Sequence, residues 1–313
     1  MKKMLFIMNP FSGQKKANKY LTDILLIFSQ AGFCVQTHMT TGHGSATEAA
    51  QAWGKDADLV VCCGGDGTLN ETITGLLRAG LHLPVGYIPS GTTNDFANSL
   101  KLSTSPVQAA RDILDGTAIA YDVGKFNDRY FSYVASFGAF TKSSYSVPQD
   151  LKNMLGHAAY VLGGISELSQ IHNEHIRMEI DGEVVEDDYL FGAVCNSVSV
   201  GGILSLDPRV VDMSDGIFEV MLIRAPRSLA EITECIQTLQ SQKYNCAMIT
   251  FRPAKHIKIY ADPDMPWTLD GERAEGAEEI TVENIHLGLR LIRKEGIRCC
   301  TRLCAMSPGA RKY

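Results

Sequence analysis

At 313 residues, 45% of them hydrophobic and 20% charged, the chain has the make-up of a soluble globular protein with core enough for one large or two ordinary domains. A net charge of −6 argues against a nucleic-acid partner, because a phosphate backbone is bound by a basic face. No apolar run approaches the ~18 residues that span a bilayer, so no transmembrane segment is expected.

The chain opens Met1-Lys2-Lys3-Met4-Leu5-Phe6-Ile7-Met8, which imitates a secretion signal, but Asn9-Pro10 cuts the apolar run short. Residues 3–8 read as a buried strand. A helix is predicted over 15–31, with Tyr20, Leu21, Ile24, Leu25, Ile27 and Phe28 as its apolar positions. A second strand over 34–39 and an alanine-rich helix over 45–53 follow. The third strand, 59–63, breaks into Gly64-Gly65-Asp66-Gly67-Thr68 before a helix over 68–77. A fourth strand, 85–88, leads through Pro89-Ser90-Gly91-Thr92-Thr93-Asn94 into a helix from about Asp95 and another over 107–114. This alternation implies a Rossmann-like α/β domain over 1–123, a largely parallel sheet covered on both faces. Ligands on such sheets sit at the carboxyl ends of strands, where all the glycine-rich turns here fall.

After Asp122-Val123-Gly124 the texture changes. Period-two segments over 130–135, 175–180, 189–196, 216–223, 256–261 and 280–283 predict a β-rich antiparallel sandwich over 124–295, with helices only at 151–170 and 229–243. Residues 296–313 read as an exposed tail carrying Cys299, Cys300 and Cys304. The nine cysteines show no zinc-type CxxC pairing, and Cys62 and Cys63 lie inside an apolar strand. Reduced thiols and a cytoplasmic setting are the expectation.

A buried strand that ends in glycines and opens a helix is a common way to hold phosphate: the glycines let backbone N–H groups approach, and Asp66 adds a carboxylate among them. A Mg-nucleotide site, hence a kinase, is the reading of that stretch. Thr92, Thr93 and Asn94 place short donors at a helix start, and Asp95 adds a second carboxylate. Leu269-Asp270-Gly271-Glu272 reads as a hairpin turn bearing two more. His38, His43, His157, His172 and His175 show no metal-ligand spacing, and Lys15, Lys16 and Lys19 read as a solvated face. No Walker lysine motif and no Gly-x-Gly-x-x-Gly occurs, which weakens P-loop and dehydrogenase readings.

Asn-Pro-x-Ser-Gly, Gly-Gly-Asp-Gly-Thr-Leu-Asn-Glu, Gly-Thr-x-Asn-Asp-Phe-Ala and Asp-Gly-Glu occur here in that order. In this the chain resembles the diacylglycerol kinase catalytic-domain family, in its soluble bacterial lipid-kinase branch, from about residue 3 to 293. Gly-Gly-Asp-Gly-Thr alone is shared with NAD kinases; the Gly91–Ala97 element separates the lipid kinases. The resemblance implies ATP bound between the two domains and contacted by Asn9, Pro10, Phe11, Ser12, Gly13, Thr40 (Thr41 in the alternative register), Gly64, Gly65, Asp66, Gly67, Thr68, Leu69, Asn70 and Thr92. It further implies a water-linked acidic network of Asp66, Asp95, Asp122 and Glu272 around a catalytic Mg²⁺, with Asp66 and Asp95 reaching the metal through water. Asp270 would be the general base. A second, structural Mg²⁺ would take Asp212, Asp215 and the Ile217 carbonyl. Arg209, Val210 and Arg273 depart from the family's pattern, and Gly201-Gly202 matches it loosely. The implied activity is ATP- and Mg²⁺-dependent phosphorylation of a lipid hydroxyl, foremost diacylglycerol to phosphatidate, by a protein peripheral at a membrane surface, with a homodimer left open. An NAD kinase acting on a soluble acceptor and a nucleotide-binding regulatory protein without turnover are the rivals.

Overall fold

The computed structural model describes residues 1–13, 17–138, 173–200 and 204–294. The helix expected over 151–170, Lys15, Lys16, His157, His172, Gly201-Gly202 and the three tail cysteines lie outside the described residues.

The first half alternates as its periodicity requires. Strands β1 (Lys2–Met8), β2 (Phe33–Met39), β3 (Leu59–Gly64) and β4 (Pro84–Pro89) pair in parallel in the order β4-β3-β1-β2. Helices α1 (Leu21–Gln30), α2 (Ser45–Trp53), α3 (Asp66–Arg78), α4 (Asp95–Ser99) and α5 (Pro106–Asp115) follow or connect them. Leu5, Ile7, Val60 and Cys62 pack with Ala46, Ala50, Ile73 and Leu76 of α2 and α3. On the other face Phe6, Val61 and Cys63 meet Ile24 and Phe28 of α1 and Ala109 and Ile113 of α5. Burial on both faces is why β3 reads as an unbroken apolar run. Cys62 and Cys63 are free and fully buried, and burial pushes both thiols up, Cys63 to about 12, as inert small hydrophobes.

Two helix starts differ from the expectation. The first helix begins only at Leu21, after a 3₁₀ turn over Ala17–Tyr20. The helix after β3 begins at Asp66, two residues before Thr68: Gly65 is extended and its carbonyl already accepts from the Leu69 N–H at 3.1 Å. Asp66 and Gly67 are therefore first-turn helical residues, not loop.

Among the described residues the second half is antiparallel, built from β5 (Thr117–Phe126), β6 (Arg129–Phe131), β7 (Val134–Gly138), β8 (Glu174–Ile180), β9 (Glu183–Cys195), β10 (Ser199–Val200), β11 (Leu204–Ser205), β12 (Phe218–Arg224), β13 (Ile249–Ala254), β14 (His256–Tyr260), β15 (Trp267–Leu269), β16 (Glu272–Ala274) and β17 (Glu279–Arg293), with the helix α6 (Leu229–Ser241). An aromatic core fills it: the Trp267 ring lies 4.9 Å from both Phe126 and Phe137, and Phe131 lies 5.7 Å from Phe218. Asp270-Gly271 forms the expected tight hairpin turn, both residues at positive φ (+50° and +81°).

Only four residues of β17 carry the period-two signal, yet the strand is 15 residues long. A bulge between Ile285 and Leu289 breaks its alternation, with Leu287 at φ +55°. Beyond the bulge β17 pairs in parallel with β4 (Leu291↔Val85), which joins both halves in one sheet, β16-β15-β7-β9-β8-β14-β17-β4-β3-β1-β2. The division drawn at residue 123 falls inside β5, whose ladder with β17 runs on both sides of it. No described helix is long and apolar enough to cross a membrane.

Candidate active site

The loops after β1 to β4 surround a cleft of about 510 Å³, of the size small-molecule sites take. Asn9 ties two of them together. Its N–H donates to the Cys63 carbonyl (2.9 Å), its Nδ2 to Thr68 Oγ1 (3.3 Å), and its Oδ1 accepts from the Phe11 N–H (2.9 Å). Ser12 Oγ donates to the Asn9 carbonyl (3.0 Å) and lies 2.8 Å from Ser90 Oγ, which in turn accepts from Cys63 Sγ (3.9 Å). Ser90, only 5% exposed, is thus a member of the site that the sequence reading passed over.

Of the expected nucleotide residues, Asn9, Phe11, Ser12, Gly13, Thr40, Gly65, Gly67, Thr68 and Thr92 line the cleft, as do Thr41, His43, Glu71 and Gly91. Pro10, Gly64, Asp66, Leu69 and Asn70 do not. Leu69 is 1% exposed and packs in the core, and Asn70, one turn beyond Asp66 on α3, faces the second half of the chain. Because α3 starts at Asp66, its N-terminal end, with Gly65, Gly67 and Thr68, lies at the cleft, the arrangement that favours an anion. Gly67 and Glu272 approach closely: a Cβ on Gly67 would meet Glu272 Oε1, the end of a side chain that would have to swing aside.

Four of the five expected carboxylates converge. Tyr133, 1% exposed, has its phenol driven up by burial and then by the charges of Asp270, Asp66, Asp95 and Glu272, all within its electrostatic reach. Asp66 Oδ2 accepts from the Asp95 N–H (2.9 Å), while Asp66 Oδ1 is buried with no protein partner. Burial raises the Asp66 carboxyl to about 6, against the Asp95 amide that lowers it and with the Asp270 and Asp95 charges that add to the rise. An orphaned oxygen in a dry acidic corner fits a hydrated Mg²⁺, which takes oxygen donors and keeps several waters.

In cation-free protein, Asp66 binds more protons folded than unfolded between its ordinary 3.8 and about 6. Its contribution is therefore full below the lower value and lost as pH rises through the upper one, on the order of 3 kcal/mol. Asp66→Asn is expected to flatten this part of the stability profile. Thermal unfolding from about pH 4 to 7 reads it, and parallel profiles for the two proteins would refute the assignment.

Asp270, in the turn between β15 and β16, is 4% exposed, and each of its carboxylate oxygens accepts two hydrogen bonds. Oδ1 accepts from the N–H groups of Tyr133 (3.0 Å) and Val134 (3.1 Å); Oδ2 accepts from the Ser132 N–H (2.6 Å) and Asn70 Nδ2 (2.8 Å). Asn70 Nδ2 also donates to the Tyr130 carbonyl (2.9 Å), so α3 and β6 hold the carboxylate jointly. Burial raises the Asp270 carboxyl, and these four donors pull it down.

Asp122 is placed differently from the expectation. At 1% exposure its Oδ1 accepts from His286 Nδ1 (2.9 Å) and the Leu287 N–H (2.8 Å), and its Oδ2 from the Gly216 N–H (2.7 Å) and Asn284 Nδ2 (3.4 Å). All four donors belong to the β17 bulge and the 212–216 turn, so its carboxylate is directed at that turn and not at the cleft. Within the turn, Asp212 Oδ1 accepts from Ser214 N–H and Oγ, and Asp215 Oδ1 from the Ile217 N–H (3.0 Å), an oxygen-rich loop of the kind that suits Mg²⁺.

Residues 3–126 match the family model for the diacylglycerol kinase catalytic domain, and residues 136–292 match that for the YegS C-terminal NAD kinase beta sandwich-like domain. The diacylglycerol kinase of Bacillus subtilis (strain 168) is 35% identical over 274 residues, 87% of this chain and 90% of that protein. The diacylglycerol kinase of Staphylococcus aureus (strain MRSA252) is 32% identical over 274 residues, 87% of this chain and 86% of that one. A crystal structure of a candidate diacylglycerol kinase from Bacillus anthracis str. Sterne superposes with a TM-score of 0.75 at 26% identity, covering 94% of this chain and 96% of that one.

Proposed function

The chain belongs to the diacylglycerol kinase family, and on that footing we propose that it transfers the γ-phosphoryl group of ATP to a lipid hydroxyl at a membrane surface, diacylglycerol before other lipids, giving phosphatidate. The observation that carries this is the grouping of Asp66, Asp95, Asp270 and Glu272 around the buried Tyr133, with Glu272 reaching the cleft that Gly13, Gly65, Gly67 and Gly91 help to line. Phosphoryl transfer asks a protein for positioning and charge neutralisation more than for covalent chemistry. The first-turn amides of α3, with Ser12, Gly13 and Thr92, would bind the phosphates, and Thr40 the nucleoside side of the cleft.

Asp66, Asp95 and Glu272 would hold Mg²⁺ through its waters, and the bound ion would neutralise phosphate charge. Asp212, Asp215 and the Ile217 carbonyl would hold a second, structural ion, which Asp122 braces through the Gly216 N–H. Asp270 would take the proton of the acceptor hydroxyl. Three of its four donors are main-chain amides, so Asn70 is the partner able to withdraw when Oδ2 accepts that proton.

ATP- and Mg²⁺-dependent labelling of a mixed-lipid vesicle panel, with NAD as a soluble acceptor, tests the proposal. Labelled phosphatidate is the expected product. Label on NAD alone would overturn the lipid acceptor, and label on another lipid would replace diacylglycerol.

A further inference from the structure

We propose that Asn196 is a positioning residue that fastens the backbone cradle of Asp270 to the strand bearing Asp122, so that the 212–216 turn and the base are held as one unit. The inference rests on the reading of Asp270 as base. Asn196 follows the last residue of β9 and is 1% exposed. Its Nδ2 donates both to the Asp122 carbonyl (2.7 Å) and to the Ser132 carbonyl (3.1 Å), and its own N–H donates to the Tyr133 carbonyl (2.8 Å).

The three-residue segment whose N–H groups grip Asp270 thus has two of its carbonyls gripped by Asn196. On the far side, the Asp122 N–H donates to the Met213 carbonyl (2.7 Å) and its carboxylate accepts from the Gly216 N–H. A continuous run of hydrogen bonds therefore leads from the 212–216 turn through Asp122 and Asn196 to Asp270. Asn196 Oδ1 and Ser132 Oγ are both buried without a protein partner. An unmet buried acceptor disfavours asparagine as mere filling, which leaves its two donated bonds as the reason for an amide there.

The test uses the full-length protein with Asn196→Ala and the milder Asn196→Ser. Expected for Asn196→Ala is a kcat on diacylglycerol vesicles at least ~10-fold lower, with the KM for ATP within about twofold, because the nucleotide loops share none of these bonds. Hydrogen exchange should quicken over 132–134 and stay unchanged over 66–69. Asn196→Ser, which keeps one short donor, should fall between, and it carries the measurement if the alanine protein does not fold.

Unaltered exchange over 132–134, or a KM for ATP that rises in step with the loss of kcat, would overturn the proposal. Exchange is read without turnover, so it judges Asn196 even if Asp270→Asn remains active and the base is another group.

Discussion

Replacing Asp270 by Asn is expected to lower kcat by ~10³-fold, the scale of a lost general base, while ATP still binds. The structure makes two separate reasons for this. An amide cannot take up the hydroxyl proton. It also presents an NH₂ group to a cradle made only of donors, the N–H groups of Ser132, Tyr133 and Val134 and the Asn70 amide. Whichever oxygen becomes the NH₂ group, two of those four lose their acceptor, and each buried group left unmet is destabilising by roughly 1–3 kcal/mol. Thermal unfolding and ATP titration separate the effects: the unfolding midpoint drops modestly, the ATP affinity holds. Turnover within tenfold of the parent would remove Asp270 from the chemistry and leave it as a structural carboxylate.

Gly13→Ala should be nearly as damaging, through binding instead of proton transfer. Gly13 has φ +44°, a conformation that disfavours any side chain, and a Cβ there would run into the Ser90 carbonyl oxygen. Main-chain atoms of the loop after β4 cannot step aside as a flexible side chain would. The loop after β1 would have to withdraw, parting Ser12 from Ser90 and opening the cleft wall. We expect a stability loss of about 1–3 kcal/mol from the strained backbone and an ATP affinity weakened at least ~10-fold. Calorimetric titration of ATP decides it, and an affinity within twofold of the parent would show that this loop does not touch the nucleotide.

Much of the chain announced itself locally. The unbroken apolar run of β3, the glycines after it and the helix that follows are consecutive in sequence, so their chemistry could be read together. The same holds for the Asp270-Gly271 hairpin, where a two-residue turn demands positive φ at both positions. These signals were enough to single out the motifs that carry Asp66, Asp95, Asp270 and Glu272 and to assign an α/β half and a β-rich half.

What folding alone decided lies in bonds between distant segments. The cradle of Asp270 is made of main-chain N–H groups more than 130 residues away, and an N–H carries no signature of residue type. Asn196, Ser90 and Cys63 look like ordinary polar or small apolar residues until β9 and β4 bring them beside their partners. Asp122 carries the same carboxylate as Asp66, yet its place on β5 beside the β17 bulge turns it toward the 212–216 turn. β17 itself was legible only where it alternates; past its bulge the pairing with β4 and β5 holds it extended, and that pairing exists only in the assembled sheet. Sequence settles which chemistry is present because side-chain type and local periodicity are properties of neighbouring residues. Tertiary structure settles which groups share it, because burial and backbone hydrogen bonds depend on what the rest of the chain brings alongside.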